Sequence, residues 1–195
     1  MKKQLKVVVT GGPGGGKTTA LDLFRRELGD KIAVVPEAAT VLFSGGIPRS
    51  DNEQMVKIIQ KTIFQLQKNF EEIHKKQFPD RLLVCDRGSL DGLAYWPGTE
   101  TDFFKGVNST FEHEIARYDA VIFFESAAIT GHDISSNNPV RNESTDQAAQ
   151  LDVKLQKIWS RHPHFYFVSS SESFVRKIMF GIMTIENVIN MHRRP

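Results

Sequence analysis

The stretch GGPGGGKT, residues 11–18, follows the apolar run LKVVVT, residues 5–10. It satisfies the spacing GxxxxGK[ST] through Gly11, Gly16, Lys17 and Thr18, and each residue type has a chemical reason. Gly12, Gly14, Gly15 and Gly16 let the backbone turn sharply and bring N–H groups onto phosphate oxygens, with Pro13 and Thr19 in the same contact stretch. The helix expected to start at Lys17 points its positive end at the same place. Lys17 offers a point charge to the outer phosphates, and the Thr18 hydroxyl is a ligand for Mg²⁺. A merely flexible glycine turn would lack the strand before it and the amphipathic helix after it. The dinucleotide pattern GxGxxG fails, because the register that begins at Gly12 ends on Lys17.

Working outward, apolar β-branched runs alternate with helical patterns, the signature of a mainly parallel sheet flanked by helices. Strands are expected at Leu5–Thr10, Ile32–Pro36, Leu82–Asp86, Ala120–Phe124 and Phe165–Val168, and a first helix from Lys17 to Leu28, stopped by Gly29. Together with the phosphate motif this predicts an α/β fold, a three-layer α/β/α P-loop NTPase with a five-stranded sheet, in one domain over residues 1–195. Ser50 with Glu53 reads as a capping box opening a long helix along which Met55, Ile58, Ile59, Thr62, Leu66, Phe70 and Ile73 follow at helical spacing. Ser144 with Gln147 reads as a second one. The last helix, Glu172 to Met191, is apolar on most of its circumference. Either the sheet and a neighbouring helix cover it, or it carries a contact with a second copy or a protein partner. The polar loop 129–143 is long enough to serve as a lid.

Composition narrows the function classes. The 195 residues include 40% hydrophobic and 25% charged residues, the balance of a globular chain. Cys85 is the single cysteine, which excludes a disulfide framework and fits a reducing, cytoplasmic setting. The net charge of +2 gives no reason to expect a nucleic acid or a lipid surface as partner, and no stretch approaches the length of a membrane span. The six histidines show no metal-ligand spacing. Leu82-Leu83-Val84-Cys85-Asp86 supplies the second phosphate-site element, an acid at a strand end. Asp86 either holds Mg²⁺ or caps the next helix. Mechanical ATPases place a glutamate after that acid. Here the neighbour is Arg87.

Four segments keep their order along the chain: GGPGGGKTT (11–19), VVPEAAT (34–40), CDRGSLDGLAYWPG (85–98) and RNESTDQAAQLD (141–152). In these the sequence resembles the AAA-type P-loop ATP-binding family that includes the nicotinamide-riboside kinase domain of bacterial NAD-metabolism regulators. It is also similar there to nucleoside and nucleotide kinases. The resemblance implies ATP with Mg²⁺, and transfer of the γ-phosphoryl to a small nucleoside-like acceptor. The alternative is a regulatory NTPase whose nucleotide state, ATP or GTP, controls a protein partner. By position, Glu37 matches a carboxylate that orients or deprotonates the attacking hydroxyl, although a helix N-terminal acid explains it too. Arg87 matches an arginine on a phosphate or substrate oxygen, and Arg141 a lid arginine over the transferring group. Asp91 and Arg49 are candidates for acceptor contact, or an early-helix acid and a solvated arginine. Tyr95 and Trp96, with Phe103 and Phe104, either stack on a base or pyridine, or form core. Ser169–Ser171 occupies the place where such kinases cradle adenine.

Overall fold

The computed structural model of the chain describes residues 3–130 and 144–191. Five strands, β1 (Lys6–Thr10), β2 (Ile32–Val35), β3 (Leu82–Asp86), β4 (Ala120–Phe124) and β5 (Phe165–Val168), form one sheet in the order β2-β3-β1-β4-β5. All four pairings are parallel, with Val8 opposite Cys85 on one side and Val121 on the other. The helices are α1 (Lys17–Leu28), α2 (Ala38–Ser44), α3 (Glu53–Gln77), α4 (Asp91–Ala94), α5 (Glu100–Val107), α6 (Phe111–Ile115), α7 (Thr145–Trp159) and α8 (Phe174–Met191).

Strand alternation splits the core in two. Val7, Val9, Val84, Ile122 and Phe124 face α1 and α8, where Phe24, Leu28, Ile178, Ile185 and Val188 close the layer. Val8, Cys85, Val121 and Phe123 face the opposite way, onto Phe64, Leu90, Phe103, Leu155 and Trp159. Both faces of every central strand are therefore buried, which is why these strands read as unbroken apolar runs. This is the three-layer α/β/α P-loop fold. The strand order reverses at β1, which has β3 on one side and β4 on the other. Ligands of such sheets bind beyond the strand C-termini at that reversal, where residues 11–18 lie. Among the described residues no helix is long and apolar enough to cross a membrane.

The strands and α1 match the sequence reading to within a residue. The Ser144–Gln147 capping box is present, with the Ser144 hydroxyl accepting from the Gln147 N–H and the Gln147 side chain accepting from the Ser144 N–H. The start of α3 differs. Asn52 is the cap, its Oδ1 accepting from the Gln54 and Met55 N–H groups at 3.1 and 3.2 Å, while Ser50 Oγ accepts from the Asn52 N–H. Glu53 is thus the first helical residue and cannot reach back as a third-position acid.

The buried face of α3 takes in only part of that apolar series. Met55, Ile58 and Ile73 are exposed, Ile58 by 59%, and the face turned inward carries Ile59, Gln60, Phe64, Gln67 and Glu71. Buried polar groups set that rotation. Glu71 accepts from Lys6, Arg117 and the Tyr118 hydroxyl, and Gln67 donates to the Arg87 carbonyl. On α8, Ile178, Ile185 and Val188 are covered by α1 and the sheet, but Val175 and Met183 remain 66% and 59% exposed.

Candidate active site

The loop after β1 turns on glycine. Gly11 has φ +130°, and a Cβ there would overlap the Phe124 carbonyl oxygen; Gly16 has φ +83° and caps α1. Side chains cannot take the first place without displacing β4. Lys17 opens α1, is buried, and donates from Nζ to the Gly12 carbonyl at 2.6 Å, which draws its ammonium back over the loop. Thr18 and Thr19, on the first turn of α1, are exposed. Thr18, Asp86 and Glu37 line one cleft beside the loop.

A second residue set holds the loop from behind. Asp152 on α7 is fully buried, and its Oδ1 accepts from the Gly12 N–H at 2.7 Å and the Ser126 N–H at 3.0 Å. The Ser126 hydroxyl donates to the Pro13 carbonyl. Burial pushes the Asp152 carboxyl up, and the two backbone donors only partly offset that. The helix that follows residues 131–143 is therefore bonded directly to the phosphate loop.

Beyond β3 the chain builds a compact ionic centre. Arg87 sits at φ +66°, a left-handed conformation that costs a non-glycine residue about 1–2 kcal/mol. The turn aims its guanidinium back between two elements. Nε donates to Glu37 Oε1 at 2.6 Å and Nη1 to Asp91 Oδ1 at 2.9 Å. Asp91 is saturated: its Oδ1 also accepts from the Thr10 hydroxyl at 2.6 Å, and its Oδ2 from the Gly88 N–H at 2.9 Å and the Trp159 indole at 3.1 Å. Asp91 thus orients Arg87. Glu37 takes a further bond from the Thr40 hydroxyl on Oε2.

Two carboxyls near this guanidinium, Glu37 and Asp86, have opposite protonation tendencies. Burial pushes Glu37 up, but Arg87, Thr40 and Lys17 together outweigh it and hold the group below its usual range. Asp86 goes the other way. Burial, reinforced by the Glu37 carboxylate, pushes it up to about 7. A divalent cation would relieve that repulsion. Thr18 hydroxyl and Asp86 carboxylate are hard oxygen donors suited to Mg²⁺. Among the described residues no group of three or more His, Cys, Asp or Glu side chains is placed to hold a metal on its own. An ion held here would need its remaining ligands from phosphate and water.

On the far side of Glu37 lies a cavity walled by Phe43, Ile63, Phe64 and Tyr95, with Gln60 and Arg87 as polar members. Pro13 and Asp91 also reach its wall, and Arg49 lies at its lining over the Phe43 ring at 4.3 Å. The structure thus brings together Glu37, Asp86, Arg87, Asp91, Arg49 and Tyr95 around the loop Gly12, Pro13, Gly14, Gly15, Gly16 and Lys17. Trp96 takes the core alternative of its two readings. It packs edge-on against Phe103 and donates to Asp102, in the core cluster and outside the cavity lining. Phe103 and Phe104 are core with it, because α5 folds them under the sheet's helical layer. Arg141 and the lid segment 131–143 lie outside the described residues. Sequence reasoning missed Gln60 and Gln67. Their seven-residue separation along α3 was the available signal, hidden because polar residues count as solvent-facing in an apolar-periodicity reading.

The family model described as AAA domain matches residues 6–177, from β1 into the first turn of α8. The chain belongs to the AAA domain family. Residues 11–18 lie within the matched stretch. A search of the curated proteins returned no match.

Proposed function

We propose that the chain is an ATP-dependent small-molecule kinase, moving the γ-phosphoryl of ATP to a hydroxyl of a nucleoside-like acceptor. One observation carries the reading. Glu37 and Thr40 line both the cleft shared by Thr18 and Asp86 and the aromatic-walled cavity beyond, so Glu37 stands between a phosphate side and an acceptor side. An ionised carboxylate there accepts a hydrogen bond from an attacking hydroxyl and takes its proton as the new O–P bond forms. Arg87, fixed by Glu37 and Asp91, and Lys17 offer positive charge to the transferring group, as does Arg141 in the sequence reading. Thr18 and Asp86 are the residues that would hold Mg²⁺, which neutralises phosphate charge when bound. The resemblance to the nicotinamide-riboside kinase domain places pyridine ribosides among the acceptors to try, and a reducing, cytoplasmic setting fits the buried Cys85.

The test is ATP consumption by the purified chain with Mg²⁺, alone and with nucleosides, nicotinamide riboside or nucleoside monophosphates. Saturable stimulation by one compound, with its phosphorylated form found by mass, supports the kinase. Slow hydrolysis indifferent to every compound favours a second reading, a regulatory NTPase. Its support is α8, whose first residue, Phe174, lies against Gly16 of the loop and whose Val175, Met179 and Met183 stay exposed to a protein partner.

A further inference from the structure

The left-handed turn at Arg87 relaxes toward ordinary backbone unless its surroundings hold it. The Arg87 N–H donates to the Val9 carbonyl at 3.0 Å, and the next two N–H groups find their acceptors on side chains. Gly88 donates to the Asp91 carboxylate at 2.9 Å, and Ser89 to the Tyr118 hydroxyl at 2.8 Å. Tyr118 is 2% exposed and lines neither the phosphate-side cleft nor the acceptor cavity, so any influence on the site runs through this turn. Its hydroxyl donates onward to Glu71 Oε1 at 2.8 Å. Burial, reinforced by the Glu71 carboxylate, pushes the phenol well above its usual range, so the proton stays and the oxygen accepts from Ser89 while donating to Glu71. Glu71 is anchored in turn, its Oε2 accepting from Lys6 at 3.0 Å and Arg117 at 2.5 Å. Trp159 packs edge-on against the Tyr118 ring at 5.6 Å, and its indole donates to Asp91. A Cβ at Gly88 would meet the Trp159 ring at 2.7 Å, so turn and ring are packed without slack. Tyr118 thus braces the turn at the Ser89 N–H and, through Trp159, at the carboxylate that orients the guanidinium.

We propose that Tyr118 is a positioning residue for phosphoryl transfer: its hydroxyl pins the Ser89 N–H, holds the Arg87 turn in its left-handed conformation and so keeps the guanidinium between Glu37 and Asp91. Without the hydroxyl the buried Ser89 N–H has lost its acceptor, and a rotation of the turn that relieves this swings the guanidinium off Glu37. The catalytic consequence rests on the phosphotransfer reading. The placement of Arg87 does not, and it is measured without turnover.

The experiment follows the Arg87 Nε–H by nuclear magnetic resonance in the full, isotopically labelled chain, assigned by through-bond correlation to its own backbone. In the wild type its bond to Glu37 at 2.6 Å should make this buried proton slow to exchange with solvent. Tyr118→Phe deletes the hydroxyl alone, and is expected to move the signal and speed its exchange about tenfold or more. Phe104→Leu opens a cavity in the same core cluster without touching the turn, and is expected to leave the signal in place. A signal unmoved in Tyr118→Phe, or moved as far in Phe104→Leu, overturns the proposal. A wild-type measurement needs no variant: the Ser89 N–H and the Arg87 Nε–H should open with equilibrium constants within about tenfold of each other. A Ser89 N–H that exchanges like a surface amide while Arg87 stays protected also overturns it. With an acceptor found by the ATP panel, Tyr118→Phe should lower kcat about tenfold to a hundredfold and leave the KM for ATP within about twofold. An unchanged kcat overturns the catalytic role. An arginine signal that Tyr118→Phe moves, in a chain that phosphorylates no acceptor, upholds the placement and sinks the kinase reading alone.

Discussion

Arg87→Met removes the cation that Glu37 and Asp91 share while keeping most of the side-chain volume. Both ion pairs are short, 2.6 and 2.9 Å, and all three side chains are largely buried, so water cannot replace the guanidinium at either carboxylate. Removing one partner of a buried pair costs about 3–5 kcal/mol, because the remaining charge stays desolvated. Set against a stability of about 5–15 kcal/mol for a chain of this size, that is a large fraction. The penalty should also depend on pH in a fixed direction. In the wild type the lowered Glu37 carboxyl contributes stability that is present above its unfolded value of 4.5 and lost as pH falls through its folded value. In the variant burial, the largest influence on Glu37, is opposed only by Thr40 and Lys17 and raises the group, as it already raises Asp86, so ionisation destabilises the fold as pH rises. Both effects widen the gap between the proteins at higher pH. Urea unfolding followed by the fluorescence of buried Trp96 and Trp159, at about pH 5.5 and about pH 8, measures it. A gap below about 1 kcal/mol at the higher pH, or one that does not change between them, refutes the ionic centre as described.

Asp152→Ala strands the Gly12 and Ser126 N–H groups and should cost about 2–4 kcal/mol in urea unfolding, whereas Asp152→Asn retains the Oδ1 acceptor and should lose less than about 1 kcal/mol. Equal losses would show that the carboxylate's charge, and not its accepting oxygen, holds the loop. Lys17→Ala should weaken ATP binding by about tenfold to a hundredfold in a nucleotide titration while circular dichroism stays that of the wild type; unaltered affinity would remove Lys17 from the phosphate site. With Asp86 pushed up to about 7, nucleotide with Mg²⁺ should bind with proton release near neutral pH, as the cation favours the ionised carboxyl. Calorimetry in buffers of different ionisation enthalpy detects this, and Asp86→Asn should abolish it. Proton release that persists in Asp86→Asn would assign it to another group.

What could be read in the sequence follows from the range over which each feature is encoded. The strands were legible because central parallel strands are apolar on both faces, and Val7–Val9 or Ala120–Phe124 need no partner to be recognised. The phosphate loop was legible because its geometry is local and glycine is its requirement. The short helices α5 and α6 carried local signals in Thr99 and Thr110, whose hydroxyls accept from Asp102 and His113 N–H groups, but their few residues gave periodicity little to work on. Apolar spacing alone did not show which face of α3 turns inward, because Gln67 and Glu71 on that face are held by Lys6, Arg117 and Arg87, residues distant in sequence. Asp152 and Gln60 escaped for the same reason. A buried acid bonded to Gly12 and a buried amide at a cavity wall are polar residues whose roles exist only once β1, α3 and α7 are packed together. Trp96 was ambiguous between stacking surface and core until Phe103 was seen beside it.

The decisive measurement is product analysis by mass spectrometry of chain, MgATP and an acceptor found by the panel, for the wild type and Glu37→Gln. The amide keeps the shape and still accepts a hydrogen bond but cannot take a proton, so the wild type should yield one phosphorylated acceptor per ADP. The variant should bind the same acceptor and form product about 10²- to 10⁴-fold more slowly. ADP and free phosphate as the sole products, at a rate that neither acceptor nor Glu37→Gln alters, would contradict phosphoryl transfer at this site.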